Sequence, residues 1–448
     1  MQIKKFNLII KQKINPYNKE ISVDSDKSLS IRSFLIGSIC QNVSTANNIL
    51  ESADVKSTID ACRKLGVKIL KIKPQSYKIY GRGLGSFNIK KNSEINFGNS
   101  GTLARLLIGM LSTNPDICVK IKGDHSLNKR NMKKIIDLMS EFGAAFFPKG
   151  KNTFPLKMIS SEMPIGINYN SEVSAQLKSA VMLAGLNSFG NTIIKEQVAS
   201  RDHTENLLMN NKQSITIKKK GKKVIKIIGK KYLNSININI GGDPSSAAFF
   251  TAVTLLNQDS SLKIKNVGLN PTRTGFYEIL KKQKVNLRFV NLKKENNEIR
   301  GDIIVKSSKL KPMKTEASIY PRTTDEYLIL FVIAALTKGI STFKGIEDLA
   351  NKESSRAYEM KKILNQIGIK CVLTKNEMKI FGQGIIDASK KKILVENLGD
   401  HRVAMCAFIL GIITNAKTSI KNFETVFTSS PSFLNIMKSL GAKFEIKK

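Results

Sequence analysis

Six segments of this chain share one design, and that repetition limits the possible folds more than any other feature. They are DKSLSIRSFLIGSI from Asp26, NSGTLARLLIGML from Asn99, SAQLKSAVMLAGL from Ser174, DPSSAAFFTAVTLL from Asp243, TDEYLILFVIAAL from Thr324 and DHRVAMCAFILGII from Asp400. Each opens on polar residues of the kind that cap a helix, then runs into small and apolar residues. The starts recur about every 75 residues, the spacing of a repeated supersecondary unit. Between them lie IDACRKLGVKI, MKKIIDLMSEFGAAF, FYEILKKQKVNLRF, AYEMKKILNQIGIKCVL and FLNIMKSLGAKFEI, with apolar residues at helical spacing. Most of these stop at a glycine, Gly66, Gly143, Gly368 or Gly441, the residue type favoured just past a helix end. The unit therefore reads as capped apolar helix, strand, amphipathic helix, strand, strand.

Six such units divide most simply into two domains of three, each built in α/β layers. The expected division puts residues 1–22 with 242–448 in one domain and 23–241 in the other. The chain would leave the first domain near Ile21–Asp26 and return near Gly241-Gly242-Asp243. A solenoid of six stacked units is the alternative, but no terminal unit is marked as a cap.

Composition narrows the function. With 41% hydrophobic residues over 448 positions, the chain can build sizeable cores. Its five cysteines, Cys40, Cys62, Cys118, Cys371 and Cys406, are scattered, with no metal-binding spacing. A reduced, cytoplasmic protein without a metal is expected. The apolar stretch of MQIKKFNLII is too short for a leader peptide, and no run of 18 apolar residues predicts a membrane span. The formal net charge of +38 invites a nucleic-acid partner, and salt-dependent RNA binding would be its signature. However, 61 of the 73 basic residues are lysines, dispersed in groups such as Lys218-Lys219-Lys220 among Ile and Asn. That pattern reads as a solvated surface, so no nucleic-acid partner is expected.

The arginines carry more information, because Arg offers a planar, bidentate fork that Lys cannot. Eight of the twelve, Arg32, Arg105, Arg130, Arg201, Arg273, Arg322, Arg356 and Arg402, fall in or beside the repeated motifs. A helix N-terminus is itself an anion site, so the helix starts point to a ligand with several phosphate or carboxylate groups. If the starts of two domains face each other, an interdomain cleft is the expected place for it. Two acidic spots interrupt this positive field: Asp325-Glu326 at a helix start, and Glu353 between Lys352 and Ser354. A helix-start Asp is ordinarily a cap, but two carboxylates in separate segments can also divide acid and base roles. The three histidines each follow an aspartate, in Asp124-His125, Asp202-His203 and Asp400-His401, which resembles general-base equipment. GRGLG at 81–85 has the wrong spacing for a dinucleotide loop, and no phosphate-binding P-loop, GxSxG elbow or HExxH motif is present.

DKSLSIR, FGNSGTLARLL, SAQLKSAVMLAGL, SRDHTENLL, NPTRTGFYEIL, DEYLILFVIAALTKG, KESSRAYEM and DHRVAM, in this order, resemble the 5-enolpyruvylshikimate-3-phosphate synthases (3-phosphoshikimate 1-carboxyvinyltransferases). The resemblance runs from about Asp26 to the C-terminus, and the SAQ and SRDHTE forms are most similar to the subgroup often tolerant to glyphosate. It implies an α/β (α+β) two-domain enolpyruvyl transferase-like fold, an inside-out α/β barrel with three βαβαββ units per domain. It also implies transfer of the enolpyruvyl group of phosphoenolpyruvate to the 5-hydroxyl of shikimate 3-phosphate, with release of phosphate, on the route to chorismate and the aromatic amino acids. No cofactor is implied, and a monomer is expected.

Carried over by motif, Lys27, Ser28, Arg32, Ser174, Ala175, Gln176, Ser200, Arg201, Asp325 and Lys352 would bind shikimate 3-phosphate. Lys27, Gly101, Arg130, Gln176, Arg356 and Arg402 would bind phosphoenolpyruvate. The catalytic groups would be Asp325 as base, supported by Lys352, Glu353 as partner acid, and Lys27. Arg402 thereby displaces His401 as the functional residue of GDHRVAM, with Asp400 as the helix cap. This chain departs from the usual pattern at Asp24-Ser25 (Pro-Gly), Ile31 (His), Ala350-Asn351 (Arg-Val), Ser355 (Asp) and Thr428 (Lys). The related transferases acting on UDP-N-acetylglucosamine use Lys-Asn where Lys27-Ser28 stands and a mobile-loop Cys, whereas Cys118 lies in the strand-like ICVKIKG.

Overall fold

The six apolar segments form six helices: Lys27–Ile39, Gly101–Ser112, Ala175–Leu186, Pro244–Leu256, Tyr327–Ala335 and His401–Thr414. A helix that is apolar on all sides is stable only when surrounded by protein. Every residue of Pro244–Leu256 and of His401–Thr414 is buried. The computed structural model describes residues 5–218, 221–396 and 398–447. Lys219 and Lys220 of the lysine triplet, and residues 1–4 of the N-terminal stretch, lie outside them. Five of the six helices have a side-chain cap: Asp26, Ser100, Ser174, Asp243 and Asp400 each accept from a first-turn N–H. The Tyr327–Ala335 helix is the exception, since Glu326 occupies its N-cap without a side-chain cap bond.

Two compact units are present: residues 1–24, 241–293 and 299–448 in one, and residues 25–240 with 294–298 in the other. Among the described residues, each holds three of the six helices and three four-stranded sheets. In the 25–240 unit, helix Gly101–Ser112 packs on both Lys27–Ile39 and Ala175–Leu186. In the other unit, Pro244–Leu256, Tyr327–Ala335 and His401–Thr414 pack on one another. Residues 294–298 had been expected with 242–448. They group with 25–240 because Glu298 lies 2.8 Å from His203 Nδ1 and accepts from Asn206 Nδ2 at 3.0 Å.

All six sheets follow one strand order. Strand Asn168–Ser171 runs parallel to Asn191–Glu196, on the far side of the Ala175–Leu186 helix in sequence. Asn191–Glu196 then pairs antiparallel with Lys223–Ile228, which pairs antiparallel with Ile215–Lys218. This is the βαβαββ unit. The opening strand is missing from the unit read by periodicity, because segments such as Glu94–Asn96, Asn237–Asn239 and Lys314–Thr315 are too short to display a period of two. Distant parts of the chain also supply strands. Asn7–Ile10 sits between Lys417–Ile420 and Phe444–Lys447, with Leu8 opposite both Ile420 and Ile446. Asn237–Asn239 pairs parallel with Val43–Asn47, and Asn18–Ser22 pairs parallel with Ser261–Gly268.

Glycine marks two recurring places. Gly66, Gly143, Gly368 and Gly441 take φ of +85°, +93°, +87° and +97° just past their helices, the left-handed closing turn expected of them. After helix Gly275–Lys282 the same place is held by Lys284, with φ of +57°, a conformation costly for a residue with a Cβ. At Gly81, Gly229 and Gly382, at strand ends in three sheets, a methyl group would overlap the carbonyl oxygens of Cys40, Ser188 and Thr337. The first glycine of GRGLG therefore serves packing. No helix among the described residues is long and apolar enough to cross a membrane.

Candidate active site

In the 25–240 unit, two helix N-termini are tied together around two guanidiniums. Gly101 opens its helix, and a Cβ built there would stand 2.9 Å from Arg105 Nη1 and 3.1 Å from Arg130 Nη1. Arg105 Nη1 donates to the Gly101 carbonyl at 3.1 Å and to Gln176 Oε1 at 3.0 Å. Gln176 Nε2 in turn donates to Thr102 Oγ1 at 3.0 Å. Arg130 Nη2 donates to Asn99 Oδ1 at 3.0 Å, and Asn99 Nδ2 donates to Asp124 Oδ2 at 2.7 Å. Gly101, Arg130, Ser174, Ala175 and Gln176 are thus brought to one place. Two positive helix ends and two guanidiniums meet there, the chemistry that attracts an anion.

A second group lies at the start of the Lys27–Ile39 helix. Arg32 is buried, and its guanidinium donates to Thr204 Oγ1 from Nε at 2.9 Å, to the Ser28 carbonyl from Nη1 at 3.1 Å and to Ser179 Oγ from Nη2 at 3.2 Å. Lys27 Nζ lies 3.1 Å from Asp54 Oδ2. Ser200 gives both its N–H and its hydroxyl to Glu196 Oε1, at 3.0 and 2.9 Å, so it faces a carboxylate. Arg201, beside it, is half-buried.

Behind Ser200 lies a buried charge network that is not legible in the sequence. Lys178 Nζ lies 2.6 Å from Glu196 Oε1 and 2.7 Å from Glu205 Oε1, and Lys223 Nζ lies 3.1 Å from each carboxylate. Burial pushes the Glu196 carboxyl up, but Lys178 and Lys223 outweigh it and hold the group down to about 2. Glu205 is held low and Lys223 high by the same pairing, each against the cost of burial.

In the other unit, carboxylates gather on Arg356, which is 2% exposed. Its Nε donates to Asp400 Oδ2 at 2.9 Å, its Nη2 to Glu353 Oε2 at 2.6 Å, and its Nη1 lies 3.7 Å from Asp325 Oδ1. Burial lowers the Arg356 pKa, but Asp400, Glu353 and Asp325 raise it by more, so it remains charged. Arg402 Nη1 donates to the Asp325 carbonyl at 2.9 Å, and its Nη2 lies 3.5 Å from Asp325 Oδ1. Asp325 lies in the turn before Tyr327 and faces two guanidiniums. Glu326, its neighbour, is buried and accepts from Ser245 Oγ, which accepts from Arg273 Nη2 at 2.9 Å. The sequence pair divides into one carboxylate that faces arginines and one buried in the core. Lys352, expected to support Asp325, is paired with Asp348 at 2.5 Å, and Tyr320 OH donates to the same Asp348 oxygen at 3.2 Å.

The aspartates that precede the three histidines turn to other groups. Asp124 turns to Leu127 N at 2.8 Å, Asp400 to Arg402 N at 3.0 Å, and Asp202 Oδ1 accepts from Asn206 Nδ2 at 3.3 Å. Two of the eight motif arginines are structural: Arg273 lies 3.2 Å from Asp243, and Arg322 bonds both oxygens of Glu278 at 2.7 Å. Asp400 was read only as a cap. It also holds Arg356 and accepts from Ser354 Oγ at 3.0 Å.

These clusters sit on a chain whose residues 11–437 match the model of the family described as EPSP synthase (3-phosphoshikimate 1-carboxyvinyltransferase). The chain belongs to the EPSP synthase family. Its activity is the transfer of an enolpyruvyl group from phosphoenolpyruvate to the 5-hydroxyl of shikimate 3-phosphate in the shikimate pathway. The 3-phosphoshikimate 1-carboxyvinyltransferase of Paramagnetospirillum magneticum is 35% identical, covering 94% of each chain. That of Zymomonas mobilis is also 35% identical, covering 98% of this chain and 97% of its own. The solved EPSP synthase of Acinetobacter baumannii matches with a TM-score of 0.84 at 32% identity, over 99% of this chain and 100% of its own. The enolpyruvyl transferase NikO of Streptomyces tendae has the same fold, with a TM-score of 0.73 at 12% identity over 99% of each chain. Thr204 and Ser179 contact Arg32, and Arg105 bridges Gly101 and Gln176; motif matching gave none of the three a role. Thr204 was within reach, since it stands inside SRDHTENLL.

Proposed function

We propose that the residues gathered in these clusters carry out the EPSP synthase reaction, with arginines and helix starts binding the anionic substrates and carboxylates moving the protons. Arg130, Gln176, Gly101, Arg356, Arg402 and Lys27 bind phosphoenolpyruvate. Lys27, Ser28, Arg32, Ser174, Ala175, Gln176, Ser200, Arg201, Asp325 and Lys352 bind shikimate 3-phosphate. Asp325 takes the proton of the 5-hydroxyl, and Glu353 gives a proton to the methylene carbon of phosphoenolpyruvate. The hydroxyl oxygen then bonds to the adjacent carbon, whose oxocarbenium character a nearby carboxylate stabilises. Loss of a methyl proton and expulsion of phosphate restore the double bond and complete the transfer. The observation that carries this reading is the sharing of Arg356 by Asp325 and Glu353, which holds two carboxylates from separate segments at one point. No cofactor is required.

The protein is read as a cytoplasmic monomer and as a glyphosate target. Release of inorganic phosphate when the protein is mixed with both substrates, and none with either alone, is the expected result. No release with both would overturn the reading. Gly101→Ala is expected to weaken glyphosate inhibition more than it raises the phosphoenolpyruvate KM. The added methyl pushes on Arg105 and Arg130, and glyphosate, the longer anion, has less slack to accommodate the shift. Equal losses for both in inhibition kinetics would contradict this.

A further inference from the structure

We propose that Thr204, backed by Ser179, is a positioning residue that sets the plane of the Arg32 guanidinium for shikimate 3-phosphate. Thr204 Oγ1 and Ser179 Oγ hold one edge of that guanidinium, through Nε at 2.9 Å and Nη2 at 3.2 Å. The two hydroxyls bond each other at 2.8 Å, which closes a triangle. Thr204 and Ser179 are each 1% exposed and Arg32 is 4% exposed, so bulk water does not compete for these bonds. Two fixed acceptors on one edge of a guanidinium set its plane, and the plane decides how its remaining N–H groups meet an anion.

The elements bearing the hydroxyls are themselves fixed. Ser179 follows Lys178 on the Ala175–Leu186 helix, and Thr204 precedes Glu205 on the His203–Leu208 helix. The buried Lys178–Glu205 pair at 2.7 Å clamps those helices beside the hydroxyl contact. All six residues of His203–Leu208 are buried, so Thr204 has little freedom to move away.

The proposal rests on the reading that Arg32 contacts shikimate 3-phosphate. Thr204→Val keeps the shape and removes the hydroxyl. It is expected to raise both the KM and the dissociation constant for shikimate 3-phosphate about tenfold, with the phosphoenolpyruvate KM changed less than about twofold. Thr204→Ser restores the hydroxyl and is expected to return binding to within about threefold of the parent. Equal effects on both substrates, or a serine variant as impaired as the valine one, would overturn the positioning role. If Thr204→Val does not fold, Ser179→Ala removes the other contact and is measured in the same way. Arg32→Ala separates the two ideas. Loss of shikimate 3-phosphate binding there, with normal binding in Thr204→Val, sinks the positioning role alone. Normal binding in Arg32→Ala sinks both.

Discussion

Asp325→Asn is expected to lower kcat by about 10²–10⁴ while leaving both substrate dissociation constants close to those of the parent. The substitution keeps size and shape but removes the group able to accept a proton. Its place should survive, because Arg402 Nη1 is bonded to the backbone carbonyl of Asp325, not only to the side chain. Arg356 also keeps Asp400 and Glu353 as partners, so the cluster is not left with an isolated buried cation. Phosphate release at saturating substrate gives kcat, and titration of each substrate gives binding. A variant that binds weakly yet turns over normally at saturation would show that Asp325 holds substrate and is not the base.

Lys178→Met is expected to destabilise the 25–240 unit by about 3–5 kcal/mol at neutral pH, the usual cost of breaking a buried ion pair from one side. Methionine fills similar space, so the loss is chiefly electrostatic. Two carboxylates remain with Lys223, whose side chain is 20% exposed, as their other cation. The pH dependence identifies the cause. In the parent, the Glu196 carboxyl is held to about 2 in the folded state against an ordinary value of 4.5. A carboxyl depressed by folding contributes stability that is complete above its unfolded pKa and is lost as pH falls through the folded one. The variant's deficit in urea denaturation should therefore be smaller at about pH 4 than at neutral pH. A deficit that does not change with pH would assign the loss to packing of the lysine stem. Since Glu196 also holds Ser200, a rise in the shikimate 3-phosphate KM should accompany the destabilisation.

Much of this was legible in the chain because it is local. A capped apolar helix announces itself within a dozen residues, and Asp26, Ser100, Ser174, Asp243 and Asp400 all cap as their positions imply. The four glycines past the amphipathic helices adopt positive φ for a reason contained in the residue itself. The sequence was misleading where one residue type serves two purposes. Asp325 stands where a cap is ordinary but faces two arginines, while Asp400 both caps a helix and holds Arg356. No local signal separates these cases, because a carboxylate near a helix start has the same chemistry in each.

The sequence alone determined the sixfold repeat, the capped helix starts, the family and the residue types gathered near those starts. Those properties depend on spacing along the chain and on the chemistry of single side chains. Only the tertiary structure decided which charge meets which. Lys178, Glu196, Glu205 and Lys223 look like ordinary surface residues in a lysine-rich chain, yet they form a buried network. Thr204 reaches Arg32 across 172 positions, and Asn7–Ile10 completes a sheet with the far end of the chain. Such pairings follow from how helices and sheets pack, and a charge or hydroxyl carries no mark of its partner until burial removes the water that would otherwise satisfy it.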